Sequence, residues 1–250
     1  MNCLLQDKVA LVSGAGSGIG QAVALLYAQY GAKVLVADRD VASAEHTCAL
    51  ILAQGGTPLF RKAEATSDAD QQMLVEVALS HYGGLHIACN NAGIGGPPAD
   101  TAQCSLEHWQ SLIDVNLSAV FKAMRRQIPA LLSSGGGAIV NVASVMGQAG
   151  FAGHAAYTAA KHGVVGLTRA AGLEYAARGV RINAVGPGFI DTPMLLGLPE
   201  QQRQLLIDQH PIGRLGDARE VAELIAWLSS DKSSFVNAAY YPIDGGYLAR

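Results

Sequence analysis

The stretch Val9-Ala-Leu-Val-Ser-Gly14-Ala-Gly-Ser-Gly18-Ile-Gly20 decides the fold. Its first four residues form a short apolar run, which indicates a strand buried on both faces of a sheet. The glycines that follow have the spacing of a dinucleotide-binding loop, and Gln21–Tyr30 has the composition of a helix. Strand, glycine loop and helix in this order are the context that a dinucleotide fingerprint requires. The alternative interpretation is a glycine-rich turn without a ligand.

The carboxylate at the end of the next apolar run indicates which dinucleotide would bind. Lys33–Asp38 is predicted to be a strand, and Asp38 follows Gly20 by 18 residues, near the spacing expected for a ligand of the adenosine ribose. A carboxylate there repels a 2′-phosphate, and Ser17 stands where a phosphate site would place a cation. NAD is therefore predicted rather than NADP. Arg39, which can stack on adenine, keeps NADP open as the alternative.

Strand and helix patterns alternate along the rest of the chain. The predicted strands are 58–62, 86–90, 138–142, 181–185 and 239–243, and the predicted helices are 41–54, 68–81, 107–132, 156–176 and 220–229. This alternation predicts a parallel sheet with right-handed crossovers, an α/β fold of the doubly wound type. Because no linker, repeat or low-complexity tract interrupts residues 1–250, a single domain is predicted.

Composition excludes several classes of function. Half of the 250 residues are hydrophobic, 15% are charged and the formal net charge is −3, so a large core is available. No basic block indicates a nucleic-acid or membrane partner, and no metal site is predicted. Cys3, Cys48, Cys89 and Cys104 are scattered, which is typical of free thiols in a reducing compartment. Together with the absence of a signal-peptide pattern, this favours a cytoplasmic protein.

A tyrosine and a lysine four residues apart indicate acid–base chemistry. Tyr157 and Lys161 share one face of a predicted helix. A free tyrosine has a pKa of about 10, and a neighbouring ammonium favours the phenolate. Ser144 lies shortly upstream and offers a hydroxyl donor. The three groups suit proton exchange with an alcohol or carbonyl oxygen. The alternative is an ordinary helix that exposes a tyrosine and a lysine to solvent.

Asn116 lies among apolar residues within the predicted helix 107–132. A buried asparagine side chain must be hydrogen-bonded. It either caps a neighbouring loop or marks a local kink that binds water, and its position alone leaves both open.

With the glycine loop, Asn90–Gly93, Ser144, Tyr157-x-x-x-Lys161 and Pro187-Gly188 in this order, the chain resembles the short-chain dehydrogenase/reductase family over its whole length. The resemblance is to the common subfamily of about 250 residues. It implies a Rossmann-type sheet of seven parallel strands in the order 3-2-1-4-5-6-7.

The same resemblance implies roles for four residues. Tyr157 is the expected general acid–base, and Ser144 is expected to hold and polarise the substrate oxygen. Lys161 is expected to bind the nicotinamide ribose and to lower the pKa of Tyr157. Asn116 is expected to anchor a water that links Lys161 to solvent.

The resemblance also implies a set of cofactor contacts. The matching residues are Gly14, Ser17, Gly18, Ile19 and Gly20 at the pyrophosphate, Asp38 at the ribose, Glu64 and Ala65 beside adenine, Asn91 and Gly93 at the adenine ribose, and Ile190 and Thr192 at the carboxamide. Three places depart from the family pattern. Ser13 replaces the usual threonine, Glu64 replaces Asp or Asn, and Asn237-Ala238 replaces Thr-Gly.

The predicted function is an NAD-dependent oxidoreductase that interconverts a secondary alcohol and a ketone. The alternatives are an NADP-dependent carbonyl or 3-oxoacyl reductase, a cofactor-binding regulator without turnover, and a lyase or epimerase that uses bound NAD. The intact Tyr157, Lys161 and Ser144 argue against the regulator. The lack of a separate substrate domain argues against the lyase or epimerase.

A mostly apolar pocket wall favours a cyclic or medium-sized hydrophobic substrate. The predicted wall consists of Gly95, Gly96, Pro97, Val145, Met146, Gln148, His154, Phe189 and residues 194–210. Gln148 and His154 are candidates for binding a polar substituent, and a mobile lid is predicted within residues 190–212. A homotetramer is expected from the family, from helices that are apolar on more than one face, and from the almost uncharged edge 238–243.

Overall fold

The computed structural model describes residues 3–195 and 197–249, and within them one sheet of seven parallel strands organises the chain. The strand order is β3-β2-β1-β4-β5-β6-β7, as the family resemblance implies. The strands are β1 Val9–Ser13, β2 Lys33–Asp38, β3 Thr57–Lys62, β4 Ile87–Asn90, β5 Gly137–Val142, β6 Val180–Pro187 and β7 Tyr240–Ile243. The order reverses between β1 and β4, and ligands of such sheets bind at the carboxyl ends of the strands beside this point.

Helices cover both faces of the sheet. They are α1 Gly18–Gln29, α2 Val41–Ala53, α3 Asp68–Tyr82, α4 Leu106–Ile113, α5 Ala119–Ser133, α6 Ala155–Tyr175, α7 Glu200–Asp208 and α8 Ala218–Ser229. Side chains alternate along each strand, so Val12 and Val34 pack on the face of α1 and α8. Leu11 and Leu35 pack on the opposite face, against α3 and α5. Burial on both faces explains the uninterrupted apolar runs of the central strands.

The predicted helix 107–132 is two helices. A π-helical turn, Asp114–Ser118, separates α4 from α5. The apolar pattern continues across the junction, so periodicity alone does not reveal the break. A second difference is α7, which begins after Pro199 within the predicted lid and was not expected to be helical.

The departure at Asn237-Ala238 is accommodated locally. Asn237 Oδ1 accepts the Ile182 N–H at 2.8 Å, and its Nδ2 donates to the Gly172 carbonyl at 2.8 Å. Ala238 has a φ of +56°, in the left-handed region that favours glycine. The asparagine side chain therefore holds the entry to β7 in a conformation that costs alanine some strain.

The remaining sequence expectations concern membranes and thiols. Within residues 3–195 and 197–249, no helix combines the length and apolar character that crossing a membrane requires. Cys48, Cys89 and Cys104 are free thiols, and Cys89 is buried in β4.

Candidate active site

A cleft of about 970 Å³ opens at the carboxyl ends of the strands. It is lined by residues that follow β1, β2, β4, β5 and β6, so segments far apart in sequence meet there. Apart from Gly20, every residue predicted to catalyse or to bind cofactor lines this cleft: Gly14, Ser17, Gly18, Ile19, Asp38, Arg39, Glu64, Ala65, Asn91, Gly93, Asn116, Ser144, Tyr157, Lys161, Ile190 and Thr192. Gly20 lies behind the loop, where its role is packing.

The glycine loop forms a close turn under the first residues of α1. Gly14 and Gly18 have φ angles of +63° and +55°, which other residues rarely adopt. A Cβ on Gly20 would lie 2.1 Å from the Gly14 carbonyl oxygen, so only glycine allows the helix this close. Ser17 caps α1 without a side-chain hydrogen bond, which leaves N–H groups of the first turn for an anion. This cradle fits a pyrophosphate.

Asn91 holds the glycine loop in place. Its Nδ2 donates to the carbonyl oxygens of Ser13 and Gly14, each at 3.1 Å. The Ser13 hydroxyl in turn accepts the N–H groups of Asn91 and Ala92 at 3.1 and 3.2 Å. Both donors of the Asn91 amide are therefore used to join β1 to β4. The serine at position 13 supplies the hydroxyl that this junction uses.

The Asp38 carboxylate is fixed by backbone donors at the end of β2. Oδ2 accepts the Gly16 N–H at 2.8 Å, and Oδ1 accepts the Asp40 N–H at 3.0 Å. A Cβ on Gly16 would approach Oδ2 to 3.0 Å. Since each carboxylate oxygen can accept more than one hydrogen bond, acceptor capacity remains for a ribose diol. Arg39 is exposed beside it and lines the same cleft.

The start of α3 shapes the segment predicted to flank adenine. The Glu64 N–H donates to Asp70 at 2.7 Å, and buried Gln71 donates to the Ala65 carbonyl at 3.0 Å. Asp70 and Gln71 were not predicted as site residues. The helix-capping serine at position 67 is the sequence signal that places them there.

Ser144, Tyr157 and Lys161 meet at the end of β5 and the first turns of α6. Ser144 begins a 3₁₀ turn, Val145–Gly147, and its Oγ accepts the Met146 N–H at 3.2 Å. The Lys161 ammonium lies 5.5 Å from the centre of the Tyr157 ring. It donates to the Val142 carbonyl at 2.9 Å, so the cation is buried but hydrogen-bonded.

In the protein alone, burial acts against the lowered pKa that the sequence predicts for Tyr157. Burial raises the pKa of Tyr157 to about 12, and the Ser144 hydroxyl acts in the opposite direction. Burial also lowers the pKa of Lys161 to about 8. The ammonium is 5.5 Å from the ring centre and is turned toward Val142. Desolvation therefore outweighs the effect of Ser144 in the protein alone, and the lowering of the Tyr157 pKa by Lys161 stays a prediction.

Asn116 forms both the kink and the loop cap that its position left open. It lies fully buried in the π-helical turn, and its Nδ2 donates to the carbonyls of Ile94 and Leu112 at 3.0 and 3.1 Å. Its Oδ1 accepts the Ile94 N–H at 3.2 Å. A Cβ on Gly93 would lie 2.8 Å from that oxygen and 3.8 Å from Lys161 Nζ. Glycine at position 93 therefore lets Asn116 and Lys161 lie near each other; the water relay stays a prediction.

The substrate end of the cleft is largely apolar. Its walls include Val145, Met146, Phe151, Phe189, Met194, Leu195, Leu198, Leu205 and Leu206, with His154, Gln202 and Gln209 as polar members. Of the described part of the predicted wall segment 194–210, only Met194, Leu195, Leu198, Gln202, Leu205, Leu206 and Gln209 line the cleft, and three other predicted positions lie elsewhere. Gln148 is exposed outside the cleft, Pro97 borders a separate small cavity, and His210 is buried beneath Phe189.

The segment after β6 is anchored over the cleft. Ile190 pairs with Gly216, and the Thr192 side chain passes 3.3 Å from where a Cβ on Gly18 would lie. Asp191 forms a bidentate ion pair with Arg203 of α7 at 3.1 and 2.7 Å. The region 190–212 thus covers one side of the site. Leu196 of the predicted lid lies outside the described residues.

A buried polar network lies behind the site and was not predicted from the sequence. Asn90 exchanges two hydrogen bonds with Gln127, at 3.1 and 2.8 Å, and donates a third to Asn141 at 2.9 Å. Asn141 also donates to Thr168 at 2.9 Å. The network joins β4 and β5 to α5 and α6; Tyr157 and Lys161 lie on α6, and Asn116 lies in the π-helical turn just before α5. Polar residues inside apolar strands were the available signal.

Comparison with known proteins gives the family. A family model described as enoyl-(acyl carrier protein) reductase matches residues 14–248. The chain belongs to the short-chain dehydrogenase/reductase family. Like other short-chain dehydrogenases/reductases, it is an oxidoreductase of a family that binds NAD or NADP.

Two relatives among the short-chain dehydrogenases/reductases are named for cyclic alcohols. The cyclohexanol dehydrogenase of Acinetobacter sp. (strain SE19) is 47% identical over 250 residues, covering 100% of this chain and 98% of the relative. The cis-4-hydroxycyclohexanecarboxylate dehydrogenase of Sinomonas cyclohexanicum is 41% identical over 244 residues, with 97% of each chain covered. The crystal structure of levodione reductase matches with a TM-score of 0.95 at 36% identity, covering 98% of this chain and 99% of that one.

Proposed function

We propose that this protein is an NAD-dependent oxidoreductase that interconverts a secondary alcohol and a ketone. The observation that carries the proposal is the meeting of Ser144, Tyr157 and Lys161 in the same cleft as the glycine loop and Asp38. The Ser144 hydroxyl, as donor, and Tyr157, as the acid–base group, then face the space beside a dinucleotide site. The two dehydrogenases named for cyclohexane alcohols support the reaction class.

The chain's own residues manage the proton and the substrate oxygen. Tyr157 takes the alcohol proton in oxidation and returns it in reduction, as a general acid–base. Ser144 donates a hydrogen bond to the substrate oxygen, which holds it near the Tyr157 hydroxyl. Lys161, at the base of the cleft, places a positive charge behind Tyr157 while it keeps its proton. A bound nicotinamide supplies the hydride chemistry.

NAD is the proposed cofactor because the ribose end of the cleft carries a fixed carboxylate. Asp38 is held by two backbone N–H groups and cannot turn away from a 2′-phosphate without losing them. Repulsion between two negative charges then disfavours NADP. Arg39 supports the second candidate, an NADP-dependent carbonyl or 3-oxoacyl reductase, because its exposed guanidinium lines the same end.

A cyclic or medium-sized hydrophobic molecule is the proposed substrate. The charged side chains among the described residues that line the cleft are Asp38, Arg39, Glu64 and Lys161, and none belongs to the apolar walls of the substrate end. Burial of apolar surface is worth about 25 cal/mol per Å², so these walls favour a substrate of matching character. His154 supplies one polar edge, since its Nδ1 bonds the Ala152 carbonyl and leaves Nε2 for a ligand.

The proposal is tested by following NADH fluorescence with a panel of cyclic and linear alcohols and ketones. Cyclic secondary alcohols should give the highest kcat/KM with NAD. Tyr157→Phe should lower kcat by roughly 10²–10⁴-fold and leave NADH affinity unchanged, because only the hydroxyl is removed. A Phe variant that keeps more than about a tenth of kcat contradicts the role of Tyr157. NADH binding without turnover on any substrate would instead support a regulator.

We also propose a homotetramer. Leu106, Trp109 and Phe121 are exposed on α4 and α5, and Leu173 is 77% exposed on α6. Phe235, ahead of the edge strand β7, is fully exposed. Exposed apolar side chains concentrated on neighbouring elements indicate protein contacts. Light scattering that shows a stable monomer at micromolar concentration contradicts this assembly.

A further inference from the structure

We infer that Tyr240, on the edge strand β7, is a positioning residue that fixes Ser144 for the reaction. The Tyr240 hydroxyl donates to the Ser144 carbonyl at 2.9 Å, across 96 residues of sequence. The inference rests on the proposed role of Ser144 as the group that holds the substrate oxygen. Tyr240 itself does not line the cleft, so it acts through Ser144.

The sheet is built to let Tyr240 reach Ser144. Tyr240 pairs with Ala184 of β6, and its ring crosses that strand over Gly186. A Cβ on Gly186 would lie 1.8 Å from the Tyr240 hydroxyl oxygen and 2.2 Å from the ring carbon that bears it. Any other residue at position 186 would displace the tyrosine. Glycine at position 186 therefore leaves the space that the Tyr240 side chain needs to reach the Ser144 carbonyl.

Ser144 depends on this bond because the backbone N–H groups that it accepts are local. Its carbonyl also accepts the Gly147 N–H at 2.8 Å, and its Oγ accepts the Met146 N–H at 3.2 Å. Both donors belong to the 3₁₀ turn that Ser144 itself begins, so they move with it. Tyr240 instead belongs to the sheet. Its hydrogen bond ties the turn, and with it the direction of the Ser144 hydroxyl, to the rigid part of the domain.

Tyr240 stays a donor over the whole working pH range. Burial, followed by the nearby Asp244 carboxylate, raises its pKa well above that of a free tyrosine. The Tyr240 hydroxyl therefore keeps its proton at the pH at which the enzyme works, whereas Tyr157 must gain and lose a proton in each turnover. The two tyrosines differ in function because one faces the cleft and the other faces a backbone carbonyl.

Loss of the Tyr240 hydroxyl has two expected consequences for the reaction. A less well fixed Ser144 holds the substrate oxygen poorly, so kcat falls. The Ser144 hydroxyl acts to lower the pKa of Tyr157. A displaced Ser144 loses that effect, so the pKa of Tyr157 rises and the pH dependence of oxidation moves to higher pH. A purely structural tyrosine would lower thermal stability without moving the pH profile.

The test compares Tyr240→Phe with Tyr241→Phe. The neighbouring tyrosine packs on the opposite face of β7, and its hydroxyl makes no hydrogen bond to residues 3–195 or 197–249. Tyr240→Phe should lower kcat for alcohol oxidation about 3- to 10-fold, the value of one hydrogen bond, and shift the alkaline limb to higher pH. NADH affinity should not change. Tyr241→Phe should leave kcat and pH profile as in the parent.

A double-mutant cycle with Ser144→Ala shows whether Tyr240 acts through Ser144. In the Ser144→Ala background, Tyr240→Phe should have no further effect on kcat. The inference is overturned if Tyr240→Phe has the same kcat and pH profile as Tyr241→Phe. It is also overturned if Tyr240→Phe lowers kcat by the same factor in the parent and in the Ser144→Ala background. A Ser144→Ala enzyme with full activity would contradict the proposed function of Ser144. An impaired Ser144→Ala enzyme beside a fully active Tyr240→Phe enzyme would contradict the role of Tyr240 alone.

Discussion

Gly20→Ala should destabilise the protein and weaken dinucleotide binding together. The added methyl carbon would lie 2.1 Å from the Gly14 carbonyl oxygen and 2.4 Å from Asn91 Nδ2. Neither atom can give way easily, because one is backbone and the other is hydrogen-bonded to Ser13 and Gly14. Overpacking of this kind costs about 1–3 kcal/mol. At about 2–4 °C per kcal/mol for a domain of this size, Tm should fall by about 2–12 °C.

Gly150→Ala is the matched control. Gly150 does not have a positive φ, and a Cβ there would meet nothing within 4 Å. Its Tm should therefore change by no more than about 2 °C, since surface substitutions stay near ±0.5 kcal/mol. NADH titration by fluorescence gives the second measurement. A displaced loop that loses one hydrogen bond to the charged pyrophosphate should weaken NADH binding by about 10-fold or more in Gly20→Ala. Parent-like Tm and NADH affinity in Gly20→Ala would refute the packing argument.

Three further predictions concern the cofactor and the pH dependence. Asp38→Ala should narrow the ratio of kcat/KM for NAD over NADP, since the charge that repels a 2′-phosphate is removed; an unchanged ratio would mean that Arg39 sets the preference. Oxidation needs the Tyr157 phenolate, and burial raises the pKa of Tyr157 to about 12, so the rate of oxidation should increase with rising pH. Reduction needs the neutral phenol, so its rate should be higher at lower pH. Lys161→Met should slow oxidation most below about pH 8, where Lys161 keeps its charge, and should weaken NADH binding; pH–rate profiles that coincide with the parent would exclude Lys161 from this role.

Most of the sheet could be predicted from the sequence because buried parallel strands leave uninterrupted apolar runs between glycines. Each predicted strand ends within two residues of the observed one. The two larger errors have separate causes. The break at Asp114–Ser118 depends on Asn116 bonding to Ile94, a contact between segments 22 residues apart. Helix α7 is short and polar, and two of its three apolar residues, Leu205 and Leu206, line the cleft rather than a core, so its sequence gives no helical signal.

The cleft could be predicted at the level of chain segments but not of individual bonds. The motifs correctly place the glycine loop, Ser144 and Tyr157 around one space, because parallel strands bring their carboxyl ends together. The pKa of Tyr157 could not be inferred from spacing, since burial is its largest determinant. The hydrogen bond from Tyr240 to Ser144 could not be predicted either, because it depends on the register of β6 and β7.

The π-helical turn has a geometric consequence for the whole of α5. Each residue of an α-helix turns the chain by about 100°, so an extra residue in one turn rotates everything after it by that angle. Deleting one residue between Asp114 and Ser118 would restore a continuous helix and swing Gln127 away from Asn90, with which it exchanges two hydrogen bonds. The π-helical turn around Asn116 therefore sets the rotation of α5 about its own axis. A change of amino acid in this turn alters one contact, whereas a change of its length changes the direction in which all fifteen residues of α5 point.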